Sequence, residues 1–155
     1  MPAYKAPLRD TRFLMNEVFD FKTHYTTLTN GTNADSETID MILDGVADFC
    51  ENELSPIYQT GDDEGCHFNN GVVTTPKGYK EAYDNYVALG MQGLSYPEEF
   101  GGQGMPMSLN LIKNEMMATA NWSFTMYPGL SVGCMNTILQ YGNDEQKATY
   151  MPPLV

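Results

Sequence analysis

The feature that most constrains the fold is a helical repeat of apolar side chains that begins after Asp35. Apolar residues recur every three or four positions at Ile39, Ile42, Leu43, Val46, Phe49, Cys50 and Leu54. This spacing places them in one stripe of an amphipathic helix, and Asp35 or Ser36 can cap its first turn. We expect the helix to end near Pro56, because proline has no N–H to continue the hydrogen-bonding pattern.

Similar repeats predict helices on both sides of this one. A short opening helix is expected within residues 7–19, followed by a polar loop over residues 26–33. Residues 61–75 are rich in glycine, aspartate and asparagine and are expected to form a long loop. After it, Thr75 and Pro76 provide a helix-start signal. The next helix carries Tyr79, Ala82, Tyr83, Tyr86 and Val87 on one side and should end at Gly90 or Gly93.

Three more helices complete the prediction. They are expected over residues 108–119, over residues 123–141 and after Asn143, which with Gln146 resembles a capping box. The helix over 123–141 is apolar almost all round, which favours burial on several sides. Pro152 and Pro153 should end the last helix. Because strand patterns are scarce, the sequence predicts an all-α bundle of five or six helices, with residues 1–34 as an extension and residues 35–155 as the domain.

Charge and length exclude several classes of function. The chain has 155 residues with 20 acidic and 8 basic side chains, a formal net charge of -12. An acidic protein repels phosphate backbones, so nucleic-acid binding is disfavoured. No apolar run approaches the roughly 20 residues of a membrane-spanning helix, and residues 1–20 do not resemble a signal peptide. We therefore expect a cytoplasmic protein.

Few residues are arranged for catalysis or metal binding. Cys50, Cys66 and Cys134 are widely spaced and form no CxxC pair, so no zinc or disulfide framework is indicated. Cys66 and His67 are adjacent, which is poor geometry for one tetrahedral ion. Glu98 and Glu99 are adjacent in a turn, where their carboxylates diverge, and the following glycines 101–104 favour a tight turn over a phosphate loop.

Methionine is unusually frequent, with 11 residues in all, and several lie in the later helices: Met116, Met117, Met126 and Met135. Methionine fills irregular apolar space and adapts to flexible ligands. We expect most of them to lie in the core and a minority to line a pocket for an alkyl chain.

Four segments together resemble the N-terminal helical domain of the acyl-CoA dehydrogenase family. They are residues 71–83 (GVVTTPKGYKEAY), 96–104 (YPEEFGGQG), 141–147 (YGNDEQK) and 150–154 (YMPPL). The opening residues 4–7 and 13–18 look like the larger subgroup with an extra N-terminal helix, which includes the methylthiopropionyl-CoA dehydrogenases. The resemblance covers essentially the whole chain.

The resemblance implies the α,β-dehydrogenation of an acyl-CoA thioester, with a proton leaving Cα and a hydride passing from Cβ to FAD. Electrons would then pass to an electron-transfer flavoprotein, and the whole enzyme would be a homo-oligomer. In the family, a β-barrel domain and a second helical domain hold most of the flavin and the catalytic glutamate. Both domains are expected to be absent from this chain, so no catalytic, cofactor-binding or metal-binding residue is assigned here and the isolated chain should be inactive.

The family places one functional surface in this domain, the wall of the acyl cavity formed by the helix after Trp122. Alignment on residues 142–144 carries that role to Ser123, Met126, Tyr127 and Leu130. Their spacing of three and four positions puts them on one helical face, although core packing is the alternative for each. The bulk of Met126 and Tyr127 would suit a short acyl chain.

Two hypotheses therefore remain open. In the first, the chain is the N-terminal piece of a flavin-dependent dehydrogenase and exposes an apolar surface where the β domain would dock. In the second, it is a free-standing helical module that binds an acyl group or a partner protein. The near-uniform apolarity of the helix over 123–141 favours the first.

Overall fold

The computed structural model describes residues 4–31 and 33–155 and confirms the all-α prediction. Within this part of the chain there are eight α-helices: α1 Leu8–Phe13, α2 Phe21–Thr26, α3 Ser36–Phe49, α4 Ser55–Glu64, α5 Tyr79–Ala88, α6 Met107–Ala120, α7 Trp122–Tyr141 and α8 Asp144–Leu154. A π-helical turn, Leu14–Val18, extends α1. None of the helices in this part is long and apolar enough to cross a bilayer.

Helices α3 and α4 form one rod, which corrects the prediction of an end near Pro56. Asp35 caps α3 by accepting a hydrogen bond from the Thr38 N–H at 2.8 Å. A π-helical turn, Cys50–Leu54, then joins α3 to α4. Pro56 therefore lies inside the rod, directly after a π-helical turn that already departs from the α-helical hydrogen-bonding pattern a proline would break, and the helix continues to Glu64.

The long loop expected over residues 61–75 is only partly a loop. Helix α4 takes its first four residues, and an antiparallel hairpin follows with β1 at His67–Asn69 and β2 at Val72–Thr74. Asn70 and Gly71 connect the strands with φ angles of 50° and 85°, as a type I′ turn requires. An Asn-Gly pair beside apolar residues is a strong hairpin signal, so the turn was readable from the sequence.

The remaining boundaries agree with the prediction in outline. The opening helix is present, and α2 occupies a stretch that the prediction left unassigned except for Thr26, with Asp20 as its N-cap. Gly78 caps α5 in a left-handed conformation, so the Thr75-Pro76 start was placed too early. The capping box of Asn143 and Gln146 is confirmed. Helix α8 ends at Leu154, so its two prolines lie in its last turn, and the Val155 N–H still donates to the Met151 carbonyl oxygen.

Two apolar clusters hold the helices together. The larger contains Leu43, Phe49, Leu54, Tyr86 and Phe124, and the smaller contains Tyr96, Met135 and Met151. The expected burial of α7 on several sides is wrong for the described chain. Only three of its side chains are buried, whereas Leu130 and Tyr141 are each 77% exposed. The reason is that α7 packs mainly on α6 and α8, so its opposite face lies open.

Candidate functional site

An apolar groove of about 390 Å³ runs between α6 and the first half of α7. We call it the acyl groove after the acyl-binding role expected of α7, which stays a prediction. Its described walls are Tyr86, Asn114, Met117, Ala118, Trp122, Thr125, Met126, Pro128, Gly129, Leu130 and Val132. Tyr86, Met117 and Pro128 are buried and form its inner end, whereas Trp122, Met126 and Leu130 are exposed at its rim. Because none of these side chains carries a charge, the groove suits a neutral apolar group.

The structure separates the four residues predicted to bind substrate. Met126 and Leu130 line the acyl groove. Ser123 is exposed outside it. Tyr127 turns toward the hairpin, with its ring centroid 5.8 Å from that of Tyr79 and its hydroxyl 3.8 Å from Cys66 Sγ. The substrate role of all four stays a prediction.

Nine of the eleven described lining residues were not assigned from the sequence, among them Tyr86, Met117 and Trp122. Met117 belongs to the methionine cluster and lines the groove together with Met126, while a role of either beside an alkyl chain stays a prediction. Trp122 immediately precedes the predicted helix. For Tyr86 there was no usable signal, because a tyrosine in an amphipathic stripe does not indicate which cavity its ring will border.

Asn121 fixes the start of α7 and therefore the rim of the groove. It is completely buried. Its Oδ1 accepts hydrogen bonds from the Phe124 N–H at 3.0 Å and from the Tyr79 hydroxyl at 3.3 Å. Its Nδ2 donates to the Leu54 carbonyl oxygen at 3.1 Å. One side chain thus caps α7 and ties it to the junction of α3 and α4.

Tyr86 is held on several sides at the inner end of the groove. Its ring centroid lies 6.2 Å from that of Phe49 and 6.1 Å from that of Phe124, the latter edge-on. Its hydroxyl donates to Gln92 Oε1 at 2.7 Å. Burial raises the pKa of this hydroxyl well above its usual range, so it stays protonated and can act as the donor.

Lys113 is a buried cation beside Tyr86. Its ammonium donates to the Met91 carbonyl oxygen at 2.6 Å, lies 3.5 Å from the Tyr86 hydroxyl and 5.5 Å from the ring centroid. In residues 4–31 and 33–155 no carboxylate lies within ion-pair distance of it. Burial lowers the pKa of Lys113 to about 8. A carbonyl and an aromatic face thus replace the usual counter-ion.

A larger cavity, of about 730 Å³, lies elsewhere, between the N-terminal segment and α3. Its charged lining is acidic, with three carboxylates against two cations, Arg12 and Lys22. Arg12 is already bonded to Asp40 at 2.6 Å and to Asp44 at 2.9 Å. This cavity is therefore a poor match for an anionic thioester of coenzyme A.

The other candidate motifs have local structural surroundings. Among the described residues, no group of three His, Cys, Asp or Glu side chains is placed to hold a metal ion. Glu98 and Glu99 lie exposed in a short 3-10 turn. In the glycine segment behind them, a Cβ at Gly102 would lie 2.1 Å from the Tyr96 carbonyl oxygen, so this position requires glycine for close packing.

Comparisons with known proteins agree with the described fold. Residues 36–155 match the family model described as "Acyl-CoA dehydrogenase, N-terminal domain". The chain is 33% identical over 152 residues to the 3-methylmercaptopropionyl-CoA dehydrogenase of Ruegeria pomeroyi, covering 98% of this chain and 26% of that protein.

Two further relatives show the same partial coverage. The chain is 30% identical over 122 residues to the glutaryl-CoA dehydrogenase of Desulfococcus multivorans, covering 77% of this chain and 29% of that protein. It is 28% identical over 131 residues to the mitochondrial isovaleryl-CoA dehydrogenase of Bos taurus, covering 81% and 27%. The chain thus spans between 26% and 29% of the length of these curated relatives.

Proposed function

Because the chain belongs to the acyl-CoA dehydrogenase family as its N-terminal domain, we propose that it works as the N-terminal part of a flavin-dependent acyl-CoA dehydrogenase. The observation that carries this proposal is the uncharged groove between α6 and α7. We assign to this chain the binding of the acyl tail. The proton abstraction and hydride transfer of the family reaction are assigned to parts of the enzyme outside these 155 residues.

The groove supports a short neutral acyl group as the substrate. Its volume of about 390 Å³ lies near the lower end of the range for small-molecule sites. The relatives are named for 3-methylmercaptopropionyl, glutaryl and isovaleryl thioesters. A glutaryl group ends in a carboxylate, which would have to leave water without a cation among the described lining residues. We therefore favour the neutral acyl groups.

The acyl groove does not suit FAD. The acyl groove has no charged side chain for the diphosphate of FAD, so no residue here is assigned to the cofactor. We propose that FAD is held by other domains of the enzyme, where it would accept the hydride. An electron-transfer flavoprotein as electron acceptor, a homo-oligomeric enzyme and a cytoplasmic location are further proposals, and they rest on the family resemblance.

The exposed face of α7 supports the view that this chain is part of a larger protein. Met126, Leu130 and Tyr141 are all more than half exposed on it. Apolar surface of this kind is unusual on a free-standing monomer and typical of an interface. We infer that other parts of the dehydrogenase cover this face and close the groove from outside.

A chimeric enzyme tests the proposal. Residues 36–155 would replace the matching segment of the Ruegeria pomeroyi relative, and flavin content would first establish that the chimera folds. We expect oxidation of neutral short acyl-CoA thioesters with an artificial electron acceptor, and little oxidation of glutaryl-CoA. A chimera that retains flavin and oxidises none of these thioesters would show that the proposed function is wrong.

A matched pair of variants tests the groove within the same chimera. Met126→Glu places a carboxylate in the groove, whereas Met107→Glu introduces the same change at the start of α6, outside it. The two methionines have nearly equal exposure, 52% and 51%. We expect Met126→Glu to raise KM at least tenfold and Met107→Glu to leave KM unchanged. Equal effects of the two substitutions on KM would show that the groove is not part of the substrate site.

A further inference from the structure

Tyr86 lies where the acyl groove ends. Of the groove residues, Tyr86, Met117 and Pro128 are buried, the first two with relative exposures of 2% and 1%, while the rim residues are more than half exposed. An acyl tail entering past Trp122 and Leu130 would therefore meet the Tyr86 ring at the inner end. Neighbouring rings and two polar contacts hold that ring in place.

A second apolar groove begins on the other side of the contact between Tyr86 and Lys113. It has a volume of about 340 Å³ and is lined by Met41, Ile42, Gly45, Val46, Leu89, Met91, Leu94, Gln103 and Lys113. Lys113 borders this second groove, Tyr86 borders the acyl groove, and the Lys113 ammonium lies 3.5 Å from the Tyr86 hydroxyl. The two grooves therefore approach each other at this pair of side chains.

We propose that Tyr86 is the specificity-determining residue that limits the length of the acyl group, by closing the acyl groove against the second groove. The inference rests on the proposed function of the acyl groove and adds a residue that sets its substrate range. The physical cause is steric. An aromatic ring held by Phe49, Phe124 and Gln92 cannot swing aside for a longer tail without losing those contacts.

The proposal predicts how affinity depends on chain length. Each methylene that becomes buried contributes about 0.8 kcal/mol, or about fourfold in affinity. In the wild type, affinity should rise with length until the tail reaches Tyr86 and then level off. With Tyr86→Leu the inner end opens toward the second groove, and affinity should continue to rise for longer tails.

The chimera described under the proposed function provides the assay, because its other domains can close the groove from outside. KM would be measured for straight-chain acyl-CoA thioesters from butanoyl to dodecanoyl with an artificial electron acceptor. Tyr86→Phe keeps the ring and should keep the wild-type plateau. Tyr83→Leu removes a neighbouring ring, 6.2 Å from Tyr86 and outside the groove lining, and should also keep it.

Circular dichroism would verify that each variant is folded, and Tyr86→Met is the second shortening variant if Tyr86→Leu does not fold. The inference is supported if the chain length at which affinity levels off increases by several methylenes in Tyr86→Leu or Tyr86→Met and in no other variant. If affinity levels off at the same chain length in the wild type and in the Tyr86→Leu or Tyr86→Met variant, the inference is overturned, while the proposed function of the acyl groove is unaffected. If the wild-type chimera retains flavin but oxidises none of these thioesters, the proposed function of the groove is overturned instead.

Discussion

Asn121 offers the sharpest test of how the groove is held in shape. Replacing it with alanine removes the N-cap of α7 and the two other hydrogen bonds of the same buried side chain. Tyr79 and Leu54 each lose a partner in a region from which water is excluded. We therefore expect Asn121→Ala to destabilise the fold more than the loss of an ordinary helix cap.

The magnitude follows from the separate contacts. An N-cap contributes about 1 kcal/mol. A buried polar group left without a partner costs roughly 1–3 kcal/mol, and Asn121→Ala leaves the Tyr79 hydroxyl in that position. Together these effects predict a loss of about 3 kcal/mol in the free energy of unfolding. For a chain of this size, that corresponds to roughly 6–12 °C in Tm.

Asn143 is the matched control, because it caps α8 with the same kind of side chain but is exposed. Its Oδ1 accepts the Gln146 N–H at 2.8 Å, and Asn143→Ala should cost only the cap, about 1 kcal/mol. Urea unfolding followed by circular dichroism would compare both variants with the wild type. If Asn121→Ala costs no more than Asn143→Ala, the buried network adds nothing and the reasoning is refuted.

Two further predictions concern Lys113 and the hairpin. The folded chain holds the Lys113 proton less tightly than the unfolded chain, because burial lowers its pKa from 10.5 to about 8. As pH rises from about 8 to 10.5, the free energy of unfolding of the wild type should therefore increase relative to that of Lys113→Met, by up to about 3 kcal/mol. Urea unfolding of both proteins at pH 7 and pH 10 measures this difference, and the same difference at both pH values would contradict the prediction. Gly71→Ala should weaken the hairpin by about 1 kcal/mol, because Gly71 has a φ of 85°, which an alanine adopts only with strain. The weakening should appear as faster amide hydrogen exchange in residues 67–74. Gly133→Ala, where an added Cβ meets nothing within 4 Å, should be neutral or stabilising, and equal effects of the two would refute the turn argument.

The helices were largely predictable because their evidence is local. The stripe from Ile39 to Leu54 and the box at Asn143 and Gln146 identify elements from neighbouring residues alone. The continuation of the rod past Pro56 was missed, because a π-helical turn before a proline leaves no mark in the apolar spacing. The hairpin was missed for a different reason, since its Asn70-Gly71 signal was present and was included in a loop.

The candidate site was less predictable because it depends on how separate helices meet. Periodicity placed Ser123, Met126, Tyr127 and Leu130 on one face of α7, yet only Met126 and Leu130 border the groove. Tyr127 lies against Tyr79 and Cys66 instead. A pattern within one helix gives the direction of a side chain, whereas the groove is defined by α5 and α6 as well.

The π-helical turn at Cys50–Leu54 determines which face of α4 packs against the rest of the domain. A π-helical turn contains one more residue than the α-helical turn it replaces, and each residue rotates a helix by about 100°. Downstream, Gly61 packs so closely on the Tyr79 ring that a Cβ there would lie 2.4 Å from it. Deleting one residue from this turn would restore a regular helix and rotate α4 relative to α3. All ten residues of α4 would then present a different face, whereas point substitutions in the turn would leave that register unchanged.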